Sequence, residues 1–436
     1  MRLRRIWPAA APVMPVDSLI ADVIGDVALV LVASSLAGAV ARRCRQPAVV
    51  GQILAGILLG PSLLGRLPGH LTSRLFPPAA LPYLTVIAQV AVAVFMFVVG
   101  YELDWASFRR GYRPALMVAT GALVVPMALG SGSALAFRSE FAALGQSNFG
   151  HSFILFMGVA TSITALPVLA AILRERSISG TTAAVTATTA AGIMDVAAWT
   201  ALAAALAGTA GGSARPWPVT LALIIGFTMV MLLAVRPALR WWFHRSQAVL
   251  ANQLPVALVL ALGSAWVTAA LGLHPVFGGL LAGLTMPGEH GRPVLEVLRP
   301  MEHISGVLLP LFFVVTGLSV NVNTLRGTAF IVLALLLTAA SVGKIGPAYA
   351  ASRIGGLTSK DAAAVAVLVN TRGLTELIAL NIGLTTGLIS GRLFTVLVLM
   401  AVLTTLMTAP LLGLLRTSAT IVAAEQSSRE SETDVA

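Results

Sequence analysis

The 436-residue chain is 57% hydrophobic and only 10% charged, with a mean hydropathy of +0.91, whereas soluble domains carry about 25% charged residues. It lacks the polar side chains to cover a water-facing surface, so the bilayer is its solvent, and apolar runs of roughly 18 to 28 residues specify spanning helices rather than barrel strands. The net charge of +11 sits mostly on arginines between apolar runs, a topology signal that excludes a nucleic-acid-binding surface.

Arg2, Arg4 and Arg5 open the chain, and Pro8, Pro12 and Pro15 interrupt what would be a signal core. Residues 1–17 therefore read as an uncleaved leader into the first span. Helices are expected near 20–41, 48–65, 82–101, 114–137, 150–174, 181–208, 217–237, 254–271, 274–287, 302–319, 327–350, 361–385 and 390–414. The fold class is an all-α polytopic membrane protein of about thirteen transmembrane helices. The ninth segment is short and follows Leu271-Gly-Leu-His-Pro275, which leaves a fused or re-entrant pair open there. Cys44, the single cysteine, has no partner for a disulfide or a metal site. No cofactor is expected.

The basic residues sort by loop. One set holds Arg42, Arg43, Arg45, Arg109, Arg110, Arg113, Arg174, Arg176, Arg236, Arg240, Arg245, Arg292, Arg299, Arg353 and Lys360; the other holds Arg66, Arg74, Arg138, Arg215, Arg326 and Arg392. Fifteen against six places the first set in the cytoplasm, the N-terminus outside and the C-terminus inside. The three N-terminal arginines oppose this orientation. The polar stretch 417–436 is expected to be a disordered cytoplasmic tail with no soluble domain attached.

Four ionisable side chains stand out within spans: Asp195, Lys344, Arg372 and Glu376. Each costs roughly 2.5–3.5 kcal/mol at the bilayer centre even on lenient scales, so a chain that keeps them uses them. Asp195 has no local partner and suits a carboxylate that binds a cation or a proton. The other reading is an aspartate that caps a neighbouring helix. Lys344 must find an anion or act as a strut on backbone carbonyls. Arg372 and Glu376, four apart, would pair on a helix face and look structural first, with a transport role for Glu376 left open.

Two spans are interrupted. In Gly158-Val-Ala-Thr-Ser-Ile-Thr-Ala-Leu-Pro167 the proline cannot donate to the carbonyl of Ile163, and Thr161, Ser162 and Thr164 offer hydroxyls to the freed backbone groups. Val369-Asn-Thr-Arg-Gly-Leu-Thr-Glu-Leu377 holds Asn370 and Gly373 as its breakers. Irregular backbone at this depth is tolerated only inside protein or along a cavity. Paired interruptions in the two halves point to a transporter binding site, and half-helix ends form a polar centre that Arg372 and Glu376 could complement.

These residues resemble a known family, the second branch of the monovalent cation:proton antiporters, and above all the plant-type cation/H+ exchangers and their bacterial relatives. The resemblance runs from about 47 to 415 and is carried by Gly56-Ile-Leu-Leu-Gly-Pro-Ser-Leu-Leu-Gly-Arg66, Phe97-Val-Val-Gly-Tyr-Glu-Leu-Asp104, Phe156-Met-Gly-Val-Ala-Thr-Ser-Ile-Thr-Ala-Leu-Pro-Val-Leu-Ala170, Asp195-Val-Ala-Ala-Trp199, Leu308-Leu-Pro-Leu-Phe-Phe313, Gly343-Lys344 and Asn370-Thr-Arg-Gly-Leu-Thr-Glu-Leu-Ile-Ala-Leu-Asn-Ile-Gly383. It implies inverted repeats with two crossed discontinuous helices, a core (about 82–208 and 302–385), dimerisation helices (about 20–65 and 217–287), elevator-like movement and a homodimer. Asp195 is then the ion-binding carboxylate, with Thr161 and Ser162 helping to coordinate the cation. Lys344 matches the family's intramembrane lysine, and Arg372 with Glu376 its span-twelve pair. One position departs: relatives carry Asp-Asp or Asn-Asp where this chain has Met194-Asp195, and a thioether is a weak acceptor.

The expected function is exchange of a monovalent cation, Na+ or K+, for H+ across the cytoplasmic membrane by alternating access, electroneutral because one carboxylate carries one charge. The alternative is a potassium efflux system or an exporter of an ionophore-like or organic cation, which Met194 keeps open. An intramembrane enzyme is not expected. A second mid-span aspartate is missing from the second half, and His70, His151, His244, His274, His290 and His303 lie near span ends.

Overall fold

The computed structural model describes residues 16–44, 46–68, 71–102, 112–175, 178, 180–206, 217–245, 253–271, 275–289 and 293–415. The expected tail at 417–436, nearly all of the expected leader, and Arg45, Arg109, Arg110, Arg176, Arg215, Arg292, His70, His274 and His290 lie outside the described residues. In chain order the helices are α1 (Val16–Arg43), α2 (Ala48–Leu59), α3 (Leu71–Leu75), α4 (Leu81–Glu102), α5 (Tyr112–Ala136), α6 (Arg138–Ala143), α7 (His151–Ser162), α8 (Leu166–Glu175) and α9 (Thr182–Leu206). They continue as α10 (Trp217–Val230), α11 (Arg236–Arg245), α12 (Gln253–Ala270), α13 (Pro275–Thr285), α14 (Leu295–Leu318), α15 (Gly327–Ile354), α16 (Ser359–Val369), α17 (Leu374–Thr385) and α18 (Gly391–Leu414).

At 1.5 Å per residue a helix needs about 20 residues to cross the hydrocarbon layer. Among the described residues nine helices are long and apolar enough. The other four expected segments fall on shorter pieces: α7 with α8, α10 with α11, α13, and α16 with α17. Large apolar side chains such as Ile24, Leu36, Val259, Trp266, Ile331 and Val342 point outward, which in water would be a liability and in lipid satisfies the solvent.

Two expected boundaries change. A π turn at Met231–Val235 joins α10 to α11, so helix continues to Arg245 where a loop was expected after 237. Arg236, Arg240 and Arg245 ride on this extension, beside exposed Trp241 and Trp242, with the Arg245 guanidinium 5.2 Å from the Trp241 ring centroid. Basic and aromatic side chains together suit the membrane–water interface. At the ninth segment the fused alternative does not hold. A Cβ on Gly278 would lie 2.1 Å from the Ser264 carbonyl oxygen, so α12 and α13 pack side by side and are not one fused helix.

Element lengths recur. The series α1, α2, α4, α5, α7/α8, α9 runs 28, 12, 22, 25, 12 plus 10, and 25 residues. The series α12 to α18 runs 18, 11, 24, 28, 11 plus 12, and 24. One helical segment, α10–α11, separates them. The packing repeats too. α2 lies on α14, where a Cβ on Gly56 would meet the Val314 carbonyl oxygen at 2.4 Å, and α13 lies on α4, where one on Gly283 would meet the Phe97 carbonyl oxygen at 2.1 Å. Each half lends its second element to the third long helix of the other.

Candidate functional site

The two interrupted spans meet. Between α7 and α8 the backbone leaves the helix at Ile163–Ala165, and between α16 and α17 at Asn370–Gly373. The breaks are stitched together: Ala165 N donates to Thr371 O at 3.0 Å, Thr164 Oγ1 to Val369 O at 3.0 Å, and Thr375 Oγ1 to Thr164 O at 3.1 Å. Pro167 stands in the first turn of α8, where its missing N–H would be unbonded anyway. The break therefore precedes the proline instead of kinking a continuous helix. Gly373 is set by a close approach, since a Cβ there would lie 2.5 Å from Val168 Cγ2.

Lys344, on α15, is fully buried. Its Nζ donates to Ile163 O at 2.7 Å and Thr164 Oγ1 at 2.8 Å. Ile163 is the carbonyl that Pro167 deprives of a partner, so the lysine acts as a strut on the freed backbone. Arg372, in the second break, donates from Nη1 to Ala160 O at 2.7 Å and from Nη2 to Thr161 O. It thereby places a cation on the carbonyl end of α7, the negative end of that half-helix. The same Nη1 pairs with Glu376 Oε1 at 2.9 Å, and Glu376 sits in the first turn of α17, where a carboxylate meets the positive end. The i, i+4 pair forms although Arg372 lies inside the break and not on a helix. Thr405 closes the far side, accepting from Arg372 N at 3.2 Å and lying 2.7 Å from Arg372 O.

Asp195 lies halfway along α9, which packs on α5, α7 and α16. The side chain is 5% exposed and its Oδ1 accepts no hydrogen bond. Lys344 is within electrostatic range, but its bonds go to the first break and not to the carboxylate. Met194 Sδ is 3.9 Å from Thr164 Oγ1. One turn on, Trp199 makes an edge contact with Phe277 of α13 at 5.1 Å between centroids, so α9 touches both the crossing and the α12–α13 pair. Thr161 Oγ1 lies 2.8 Å from Pro126 O, and Ser162 Oγ donates to Val159 O at 3.0 Å. Their hydrogens serve backbone carbonyls, leaving oxygen lone pairs as what they can offer a cation. Asn370 is buried with both amide atoms unpartnered.

The crossing thus gathers Asp195, Met194, Thr161, Ser162, Lys344, Arg372, Glu376, Asn370 and Gly373. Thr164, expected from the sequence only as a hydroxyl for freed backbone groups, also belongs to it, as do Thr375 and Thr405, which the sequence did not single out. Asp26, on α1, was missed as well: it is 4% exposed with Oδ2 unpartnered, and the cost of an intramembrane charge would have flagged it. Among the described residues no three His, Cys, Asp or Glu side chains converge. A cation at the crossing would be held by one carboxylate and neutral oxygens, a donor set suited to a hard, weakly bound ion.

A family profile described as "Sodium/hydrogen exchanger, transmembrane" matches residues 30–414. The chain is 36% identical to Cation/H(+) antiporter 20 of Arabidopsis thaliana over 88% of this chain and 47% of that protein. It is 33% identical to the Na(+)/H(+) antiporter NhaS4 of Synechocystis sp. over 89% of this chain and 96% of that one. It spans about half the length of the Arabidopsis relatives that it matches. The solved sodium proton antiporter MjNhaP1 of Methanocaldococcus jannaschii superposes with a TM-score of 0.65 at 16% identity, covering 91% of this chain and 98% of that chain, a likeness of fold.

Proposed function

Because the chain belongs to the transmembrane sodium/hydrogen exchanger family, we propose that it exchanges a monovalent cation, Na+ or K+, for H+ across the cytoplasmic membrane. The observation that carries this reading is Asp195, a carboxylate buried beside two crossed helix breaks, with an oxygen that accepts no hydrogen bond from the protein. A proton or a cation neutralises it; both together do not fit one charge. The bare carboxylate is expensive to move through low dielectric, and carrying its charge against 100 mV costs about 2.3 kcal/mol more. Only the occupied forms cross readily, so inward and outward fluxes are coupled.

Thr161 and Ser162 are proposed as cation ligands through their lone pairs. Lys344 and the Arg372–Glu376 pair hold the crossing in shape. The alternating-access movement is assigned to the helices around the crossing, sliding elevator-fashion against dimerisation helices of a homodimer. With one titrating carboxylate, exchange is one-for-one and electroneutral. Orientation follows the arginines, with the N-terminus outside and the C-terminus in the cytoplasm.

The test is reconstitution into liposomes with an enclosed pH dye and sequential addition of Na+, K+, Li+ and Rb+. The expected result is alkali-ion-driven proton movement in the intact chain and none in folded Asp195→Asn. Activity surviving in that variant would overturn the assignment. Currents that scale with turnover on a supported membrane would overturn the one-for-one stoichiometry.

A further inference from the structure

We propose that Asn370 is a ligand of the transported cation, its side-chain oxygen supplying beside Asp195 the neutral contact that Met194 does not. The proposal rests on the reading that Asp195 holds the cation.

Asn370 is 1% exposed, and neither Oδ1 nor Nδ2 has a hydrogen-bond partner. A carboxamide can make four hydrogen bonds, and leaving a buried polar group unmade costs about 1–3 kcal/mol. The neighbouring polar side chains each make at least one bond: Thr371 Oγ1 with Leu368 O at 2.8 Å, Thr375 Oγ1 with Thr164 O at 3.1 Å, and Arg372 with Glu376, although Arg372 Nε and Glu376 Oε2 stay unpartnered. Asn370 alone in that break keeps both ends of its polar group idle. Buried groups left this way call for an explanation, and an apolar side chain would fill the same space without the cost.

Its chain neighbours place it at the same crossing as Asp195. Thr164 Oγ1 bonds Val369 O at 3.0 Å and lies 3.9 Å from Met194 Sδ. Asn370 and Asp195 are the residues that immediately follow those two. Asn370 also closes α16 at its C-terminal end, where the half-helix presents its negative pole and favours a cation. Hard monovalent ions take carboxylate and carbonyl oxygens. A neutral amide adds a ligand without adding charge, so the single balance set by Asp195 is preserved.

The experiment uses the full chain in proteoliposomes and in detergent. Asn370→Ala is expected to raise the cation concentration for half-maximal exchange about tenfold, the equivalent of one lost ligand contact. The maximal rate should persist and the order among Na+, K+, Li+ and Rb+ should change, which a packing role would not produce. Asn370→Ser, which keeps an oxygen, should fall between. Unchanged half-saturation and ion order in either variant overturns the proposal while leaving the exchanger reading intact, provided that Asp195→Asn is inactive. Cation-dependent stabilisation against heat reads binding without turnover. If the intact chain exchanges nothing, the exchanger reading fails, and Asn370 is then judged by that stabilisation: its loss in Asn370→Ala supports the ligand role, while its retention, or its absence from the intact chain, removes it.

Discussion

Arg372 does three jobs with one guanidinium: it holds Glu376 and takes the carbonyls of Ala160 and Thr161. Glu376 does one. The two substitutions should therefore differ. Arg372→Met strands a buried carboxylate and two carbonyls and is expected to cost about 3–5 kcal/mol. Glu376→Gln keeps a hydrogen-bond acceptor and should cost less. Thermal unfolding in detergent checks the order, and equal losses would mean that the carbonyl contacts contribute nothing. The four intramembrane charges were legible because each breaks the apolar pattern at a stated cost. Thr375 and Thr405 were not, nor were the partners of Thr164. Hydroxyls are common in membrane helices, and the bonds of Thr164 reach Lys344 and Val369, 180 and 205 residues away, a separation that no local pattern carries. Asp26 was legible by the same rule as Asp195 and was overlooked, whereas the strut reading of Lys344 is the one that its bonds match.

At the scale of elements, both interruptions were readable from a proline and a glycine, but their positions follow from tertiary contacts. Pro167 fits the opening turn of α8, so the unwound stretch lies before it. Gly373 answers both to Val168 on the other broken helix and to its own positive φ of 158°. Gly373→Ala is expected to destabilise the protein by about 1–3 kcal/mol through overpacking and to slow exchange. Adding Val168→Ala should restore both only in part, because it removes the atom that the new methyl would strike but leaves a backbone at φ 158° that an L side chain rarely adopts. A double variant no better than the single one would place the defect in the backbone of the break rather than in that contact. The helix of the seventh span runs past the expected 237 through Arg236, Arg240 and Arg245, whose charges in a sequence suggest a loop. The Trp241–Arg245 stacking lets the helix continue into the interface.

For the whole molecule, the sequence carried the bilayer, the helices and the approximate number of spans, while the recurrence between halves emerged only in element lengths and packing. Orientation is open to direct measurement, because the chain supplies its own reporter. Cys44 is its single cysteine and is exposed at the end of α1. With the N-terminus outside, a membrane-impermeant maleimide should label it in right-side-out vesicles only after permeabilisation. Labelling of sealed vesicles would invert the topology. The mutual loan of α2 to α14 and of α13 to α4 bears on biogenesis. The ribosome delivers α2 and α4 before either receiving partner has been made. Newly inserted N-terminal helices must wait in lipid with their glycine notches unfilled until the second set arrives, so the halves cannot mature one after the other and close together as a single late event.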